Sequence, residues 1–134
     1  MTLDDIHSNL ADQDRGRWLE VRDPWQEKPV GLRLLIAGPD SDVQRKARVE
    51  MMDRLSDAAD LDGKVSFEER EKARVYCLAR CVLNWDVAAS FGLDATFGQV
   101  AIIKLLRIAW LQQQVDAFAG DRANFPISLN SEVA

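Results

Sequence analysis

The chain has 134 residues, 47% of them apolar, which is enough to build one hydrophobic core, so we expect a single domain over residues 1–134. Its formal net charge of −5 disfavours a nucleic-acid partner, because binding a phosphate backbone requires clustered Lys and Arg. No apolar run approaches the ~18 residues of a membrane-spanning helix, and no apolar signal core opens the chain, so we expect a cytosolic protein without a membrane partner.

The first fifteen residues are polar and carry only a thin apolar stripe. Thr2 is followed three residues later by Asp5, the spacing of a capping box at the start of a helix. The segment is therefore either a short helix or a mobile arm, and both interpretations stay open at this level.

Two short runs of large apolar residues, RWLEVR and LRLLI, predict a β-hairpin over residues 17–36 with a long connection. Alternation along the second strand puts Leu32, Leu34 and Ile36 on one face. We expect Trp18 to face these residues across the strand pair.

Two helices are expected next. Ser41 and Ser66 are each followed three residues later by Gln or Glu, which is the capping-box spacing. The first helix should reach about Ala58, and the second should cover residues 67–83. Residues 84–96 have mixed polarity and are interpreted as a connection.

Residues 97–119 carry dense apolar periodicity, and Thr96 is placed to cap their start. Since no Pro or Gly marks a break, the pattern leaves open one continuous helix or a kink near Arg107. Gly120 should end this region in the left-handed conformation, after which Phe125 turns back onto the fold.

These elements predict an α+β fold that is mostly α-helical, with a small β-hairpin followed by three to four helices. Residues 126–134 are expected to form a disordered tail. The predicted core consists of Met51, Leu55, Val75, Leu78, Val82, Ile102, Leu105, Trp110, Val115 and Phe118.

The stretch DLDGKVSFEE resembles part of an EF-hand loop. Asp60, Asp62 and Glu69 would fall on its third, fifth and twelfth positions, but Ala58 occupies the first, where a carboxylate ligand is needed. An Asp-Gly turn followed by a Ser66 N-cap explains the same residues without metal. We therefore expect no tight metal site and keep these three as weak calcium candidates only.

No residues suitable for catalysis are grouped in the sequence. His7 is the sole histidine, and the two thiols of Cys77 and Cys81 lack the third and fourth ligands of a zinc site. They are better interpreted as small buried apolar residues. No Gly-rich phosphate loop is present, so we expect neither an enzyme nor a bound cofactor.

The order of segments is more specific than any of these motifs. The runs WLEVR, LRLLIAG, DSDVQRKA and CVLNW, a helix containing Phe97, and the closing WLQQQVDAFAGDRANF together resemble the tail assembly chaperones of long-tailed, siphovirus-type bacteriophages or prophages. The resemblance covers about residues 16–125. Residues 114–118 and 121–125 carry its most specific part.

The resemblance implies a small, non-enzymatic helical protein that binds the tape measure protein and keeps it soluble while the tail tube forms. It implies the host cytoplasm as location and absence from the mature virion. The tail tube protein is a further candidate partner, and because many copies are needed along a long partner, self-association to a homo-oligomer is expected too. A single-hand calcium-responsive regulator is the alternative function.

The C-terminal helical region carries more apolar surface than a short helix pair readily hides, which favours a partner helix in an exposed groove. The alternative is that Ile103, Leu106 and Phe118 complete the core. The candidates for partner binding are Ile103, Leu106, Trp110, Val115, Phe118 and Phe125.

Overall fold

The computed structural model describes residues 1–129 and has the expected α+β, mostly helical fold. Over these residues, a three-stranded antiparallel sheet of order β1-β2-β3 packs with five α-helices. The elements are α1 (Leu3–Arg15), β1 (Arg17–Arg22), β2 (Pro29–Ile36), α2 (Asp42–Ala58), α3 (Phe67–Cys81), β3 (Val82–Val87), α4 (Gln99–Leu106) and α5 (Ala109–Ala119), with short 3₁₀ helices at Ala89–Phe91 and Arg122–Asn124.

The N-terminal segment is a helix rather than an arm. The Asp5 amide donates to the Thr2 hydroxyl at 3.1 Å, and the Thr2 amide donates to the Asp5 carboxylate at 2.8 Å, which completes the capping box. Gly16 ends α1 with a φ of 84°. A Cβ there would lie 2.9 Å from the Ile36 carbonyl oxygen, so only glycine lets α1 end this close to β2.

The predicted hairpin is present, but the prediction for Trp18 was wrong. Leu19 lies opposite Leu34, whereas Trp18 lies opposite Leu35 on the outer face of the sheet. Successive side chains of a strand point to opposite faces, so a pairing that puts Leu19 in the core exposes Trp18. The Arg33 guanidinium covers the Trp18 ring at 4.9 Å.

The segment predicted as a connection begins with a third strand. Helix α3 ends at Cys81, two residues before the predicted end, because the Ala37 amide at the end of β2 donates to the Cys81 carbonyl at 2.9 Å. The chain then continues as β3 along β2. Trp85 packs edge to face with Phe97 at 5.3 Å, which anchors the strand to the segment that leads into α4.

The apolar C-terminal region is two helices, with a break at residues 107–108. The Gln112 side-chain amide donates to the Leu106 carbonyl at 2.9 Å. This bond satisfies a carbonyl group at the end of α4, so the helix ends there without a Pro or Gly. The predicted Thr96 cap was wrong, since Gly98 occupies the N-cap position. The left-handed Gly120 was also wrong: its φ is −92°.

One face of the sheet packs against α3, α4 and α5 to form the core. Val75, Leu78, Val82, Ile102 and Val115 are buried there as predicted, and Leu32, Leu34 and Ile36 line the sheet side. Leu105, Trp110 and Phe118 are partly buried against this core, whereas Met51 and Leu55 are only half-buried. The predicted disordered tail concerns mainly residues 130–134, which lie outside the described residues.

Among residues 1–129, no helix combines the length and apolar content that crossing a membrane requires.

Candidate partner-binding groove

The C-terminal residues that carry the family resemblance fold back on the protein. Arg122 donates two hydrogen bonds, of 2.8 and 2.7 Å, to the Asp40 carboxylate in the turn before α2. This guanidinium holds the pKa of Asp40 below its ordinary value. The Asn124 side-chain amide donates to the Phe118 carbonyl at 3.1 Å, and the Phe125 ring packs edge to face on Phe118 at 5.5 Å. Residues 121–125 thus close the fold.

Two buried glutamines complete this closure. The Gln44 side-chain amide donates to the carbonyls of Ala37 and Ala119, both at 2.8 Å, and so joins the ends of β2 and α5. Gln13 of α1 accepts from the Asp40 amide at 2.7 Å. The set that makes these contacts, called the closing network below, consists of Gln13, Asp40, Gln44, Arg122 and Phe125. Its hydrogen bonds join α1, the turn before α2, α2 and the segment after α5.

Three of the six partner-binding candidates are core side chains. Leu106 and Val115 are fully buried, and Phe125 is 3% exposed, so none of them offers a surface to a partner in this structure. This corrects the expectation that they line a groove. The packing of the core explains it: the sheet and α3 cover the face of α4 and α5 that carries Leu106 and Val115, and Phe125 packs on Phe118.

The other three candidates are half-buried and pack against the core: Ile103, Trp110 and Phe118. Phe118 is covered in part by Phe125. Trp110 packs edge to face with Trp25 at 6.2 Å, and Trp25, in the β1-β2 loop, is 80% exposed. Each of these three candidates therefore presents only part of its side chain to solvent.

A groove of about 370 Å³ lies where α2, α3 and α5 meet. Apolar and sulfur-containing side chains form most of its wall, and charged groups stand at its rim. The lining residues are Gln44, Arg48, Met51, Arg74, Cys77, Leu78, Cys81, Asp116, Ala119 and Gly120. Concave apolar sites with a few polar groups, between helices, are typical of binding sites.

The charges at the rim are only partly paired. Arg74 of α3 and Asp116 of α5 form a salt bridge at 2.5 Å across the groove. Arg48 of α2 donates only two long hydrogen bonds of 3.4 Å, to the Pro39 carbonyl and the Gln44 side chain. The Arg48 guanidinium therefore keeps capacity for an acidic group of a partner.

Two thiols face this groove one helical turn apart on α3. The Cys81 thiol donates to the Cys77 carbonyl at 3.3 Å and is buried, whereas Cys77 is half-buried. Hydrogen bonding between the two side chains lowers the pKa of Cys77 to about 7, and the same interaction together with burial raises the pKa of Cys81. Cys77 is thus the more readily ionised thiol.

The EF-hand-like stretch forms a turn. The Asp60 carboxylate accepts from the amides of Asp62 and Lys64, both at 2.9 Å, and Gly63 has a φ of 78°. Ser66 caps α3 by accepting from the Glu69 amide at 3.2 Å. Turn geometry and an N-cap therefore account for these residues. Within residues 1–129, no three His, Cys, Asp or Glu side chains are grouped to hold a metal ion.

Sequence reasoning missed the groove because one of its walls comes from α5, which β3 and α4 separate in the chain from α2 and α3. Periodicity correctly placed Met51, Cys77 and Leu78 on inward faces, but it could not tell a closed core from an open cleft. No protein-family model matches the chain, and neither a curated protein nor a solved structure matches it.

Proposed function

We propose that the protein is a tail assembly chaperone of a long-tailed bacteriophage or prophage, and that it holds a helical segment of the tape measure protein in the groove between α2, α3 and α5. The observation that carries the proposal is this open, largely apolar groove between helices. The sequence resemblance supplies the identity of the partner.

The chemistry of the groove fits an amphipathic helix. Apolar anchors at helical spacing would enter the wall formed by Met51, Leu78 and Ala119. An acidic residue beside those anchors would pair with Arg48, whose own hydrogen bonds are long. The net charge of −5 would keep such a complex soluble.

The wider role follows from the same proposal. The chaperone acts in the host cytoplasm, covers apolar helical surface until the tail tube encloses it, and is absent from the mature virion. Several copies along one elongated partner would add avidity, and self-association and contact with the tail tube protein belong to this scheme.

Co-expression with the tape measure protein encoded beside this gene tests the proposal. We expect the tape measure protein to be soluble and to co-purify with the chain, and to aggregate without it. Met51→Glu puts a charge into the groove wall and should abolish co-purification, while the chain stays folded by circular dichroism.

Met52→Glu is the matched control, because Met52 is the next residue of α2 but is 64% exposed outside the groove. It should leave co-purification unchanged. Equal solubility of the tape measure protein with and without this chain would refute the chaperone function. Loss of binding in both variants, or in neither, would refute the groove as the binding surface.

A further inference from the structure

Three sulfur-containing residues from two helices line the same groove. Cys77 and Cys81 come from adjacent turns of α3, and Met51 comes from α2, which packs against it. Met51 and Cys77 also line a second, smaller cavity of about 110 Å³ formed by the same two helices. The thioether-bearing side chain of α2 and the two thiol-bearing side chains of α3 therefore line one helix junction.

The two thiols share a face of α3. Residues four apart on a helix have Cβ atoms roughly 5–6 Å from one another, so their side chains can reach one common ligand. The Cys81 thiol already points along this face, since it donates to the Cys77 carbonyl at 3.3 Å. Both cysteines are free thiols.

The donor set selects a soft monovalent ion. Structural zinc sites take four ligands, and among the described residues no further His, Cys, Asp or Glu completes such a set here. Two thiolates and a thioether suit Cu(I), which prefers soft sulfur ligands. The Arg48 guanidinium on the groove rim would offset part of the negative charge of the two thiolates, whereas Arg74 is already paired with Asp116.

We propose that Met51, Cys77 and Cys81 form a three-sulfur binding site for Cu(I) that joins α2 to α3. Two thiol protons leave when the ion binds, and no electron transfer is involved. The site does not depend on the proposed chaperone function, because all three ligands belong to this chain.

Anaerobic titration of the reduced full-length protein with Cu(I), in competition with a chromophoric Cu(I) chelator, tests the site. We expect one Cu(I) per chain and a higher thermal midpoint in the loaded protein, since the ion stabilises only the folded arrangement. Cys77→Ala and Cys81→Ala should each abolish competition with the chelator.

Met51→Leu keeps the size of the side chain but removes the thioether. It should weaken binding by about tenfold or more, because even loss of a group that only orients a metal ligand commonly weakens binding by 10- to 100-fold. Met52→Leu is the matched control and should bind as the unaltered chain does. Circular dichroism of each variant separates loss of a ligand from loss of fold.

Three results would overturn the site. The unaltered chain could leave all Cu(I) with the chelator. Met51→Leu and Met52→Leu could bind equally, which would remove the thioether from the ligand set. Saturation at one ion per two chains, with a doubled mass in light scattering, would place the ion between copies. None of these outcomes bears on co-purification with the tape measure protein.

Discussion

The two halves of α2 are built in opposite ways. The N-terminal half buries polar Gln44 beside Ala47, whereas the C-terminal half exposes Met52 and the loop beyond it exposes Leu61 completely. The first half contributes Gln44 to the closing network. The second half, with the loop after it and the start of α3, is called the hairpin end below, after the α2–α3 helix pair. Along one helix, a glutamine is therefore inside and a methionine outside.

This contrast shows that the partners available to a side chain decide its burial more than its polarity does. Gln44 is buried because the carbonyls of Ala37 and Ala119, at the ends of two other elements, need a donor. Met52 is exposed because, within residues 1–129, no element packs over that side of the α2–α3 helix pair. Stability should therefore depend strongly on the closing network and weakly on the hairpin end.

The largest expected effect comes from Phe125→Ala. Phe125 is 3% exposed and packs on Phe118, so its removal should lower the free energy of unfolding by about 3–5 kcal/mol. Urea denaturation measures this change. Phe67→Ala is the matched control: Phe67 is 71% exposed at the hairpin end, and its loss should cost less than about 0.5 kcal/mol. If Phe125→Ala and Phe67→Ala lowered the free energy of unfolding by similar amounts, the closing network would not matter more for stability than the hairpin end.

Gln44→Leu should have the next largest effect. The substitution keeps the approximate size of the side chain but leaves two carbonyl groups without their donor, each at a cost of about 1–3 kcal/mol. We expect a loss of about 2–4 kcal/mol in urea denaturation. Gln113→Leu, on the exposed side of α5, should change stability by less than about 0.5 kcal/mol. A neutral Gln44→Leu would show that these carbonyls find other donors.

The Asp40 and Arg122 pair predicts a smaller, pH-dependent effect. Arg122 lowers the pKa of Asp40 in the folded protein, so the carboxylate stabilises the fold above the ordinary pKa of 3.8, and this stability is lost as pH falls through the lower folded value. Asp40→Asn should therefore be less stable than the unaltered chain at pH 7.

The difference in stability between Asp40→Asn and the unaltered chain should narrow as pH falls below about 4, because the Asp40 carboxyl of the unaltered chain then becomes neutral too. Urea midpoints of both proteins at neutral and acid pH measure this. Asp53→Asn, which removes an exposed carboxylate of α2, is the control. If the urea midpoints of Asp40→Asn and the unaltered chain differed by the same amount at every pH, the Asp40 charge would not be the cause of the difference.

Leu61→Ser should have the smallest effect. Its side chain is fully exposed in the loop between α2 and α3, so the free energy of unfolding should change by less than about 0.5 kcal/mol. Thermal and urea denaturation at several protein concentrations check this. A loss above about 1 kcal/mol that grows with concentration would show that the hairpin end is covered by a second copy.

Local signals in the sequence determined several elements directly. Ser41 and Ser66 cap α2 and α3 as their spacing predicts, because a cap needs only residues within one turn. Alternation in β2 correctly put Leu32, Leu34 and Ile36 on the core face, since the period of a strand is fixed by its backbone.

Tertiary structure decided the features in which distant segments meet. Strand β3 exists because β2 offers its edge to residues 82–87, and the α4–α5 break is stabilised by a glutamine whose role no local pattern reveals. The groove likewise depends on α2, α3 and α5 converging. Capping and alternation act over a few residues and can be detected in a sequence, whereas strand pairing, buried amide bonds and open clefts depend on which remote groups arrive beside them.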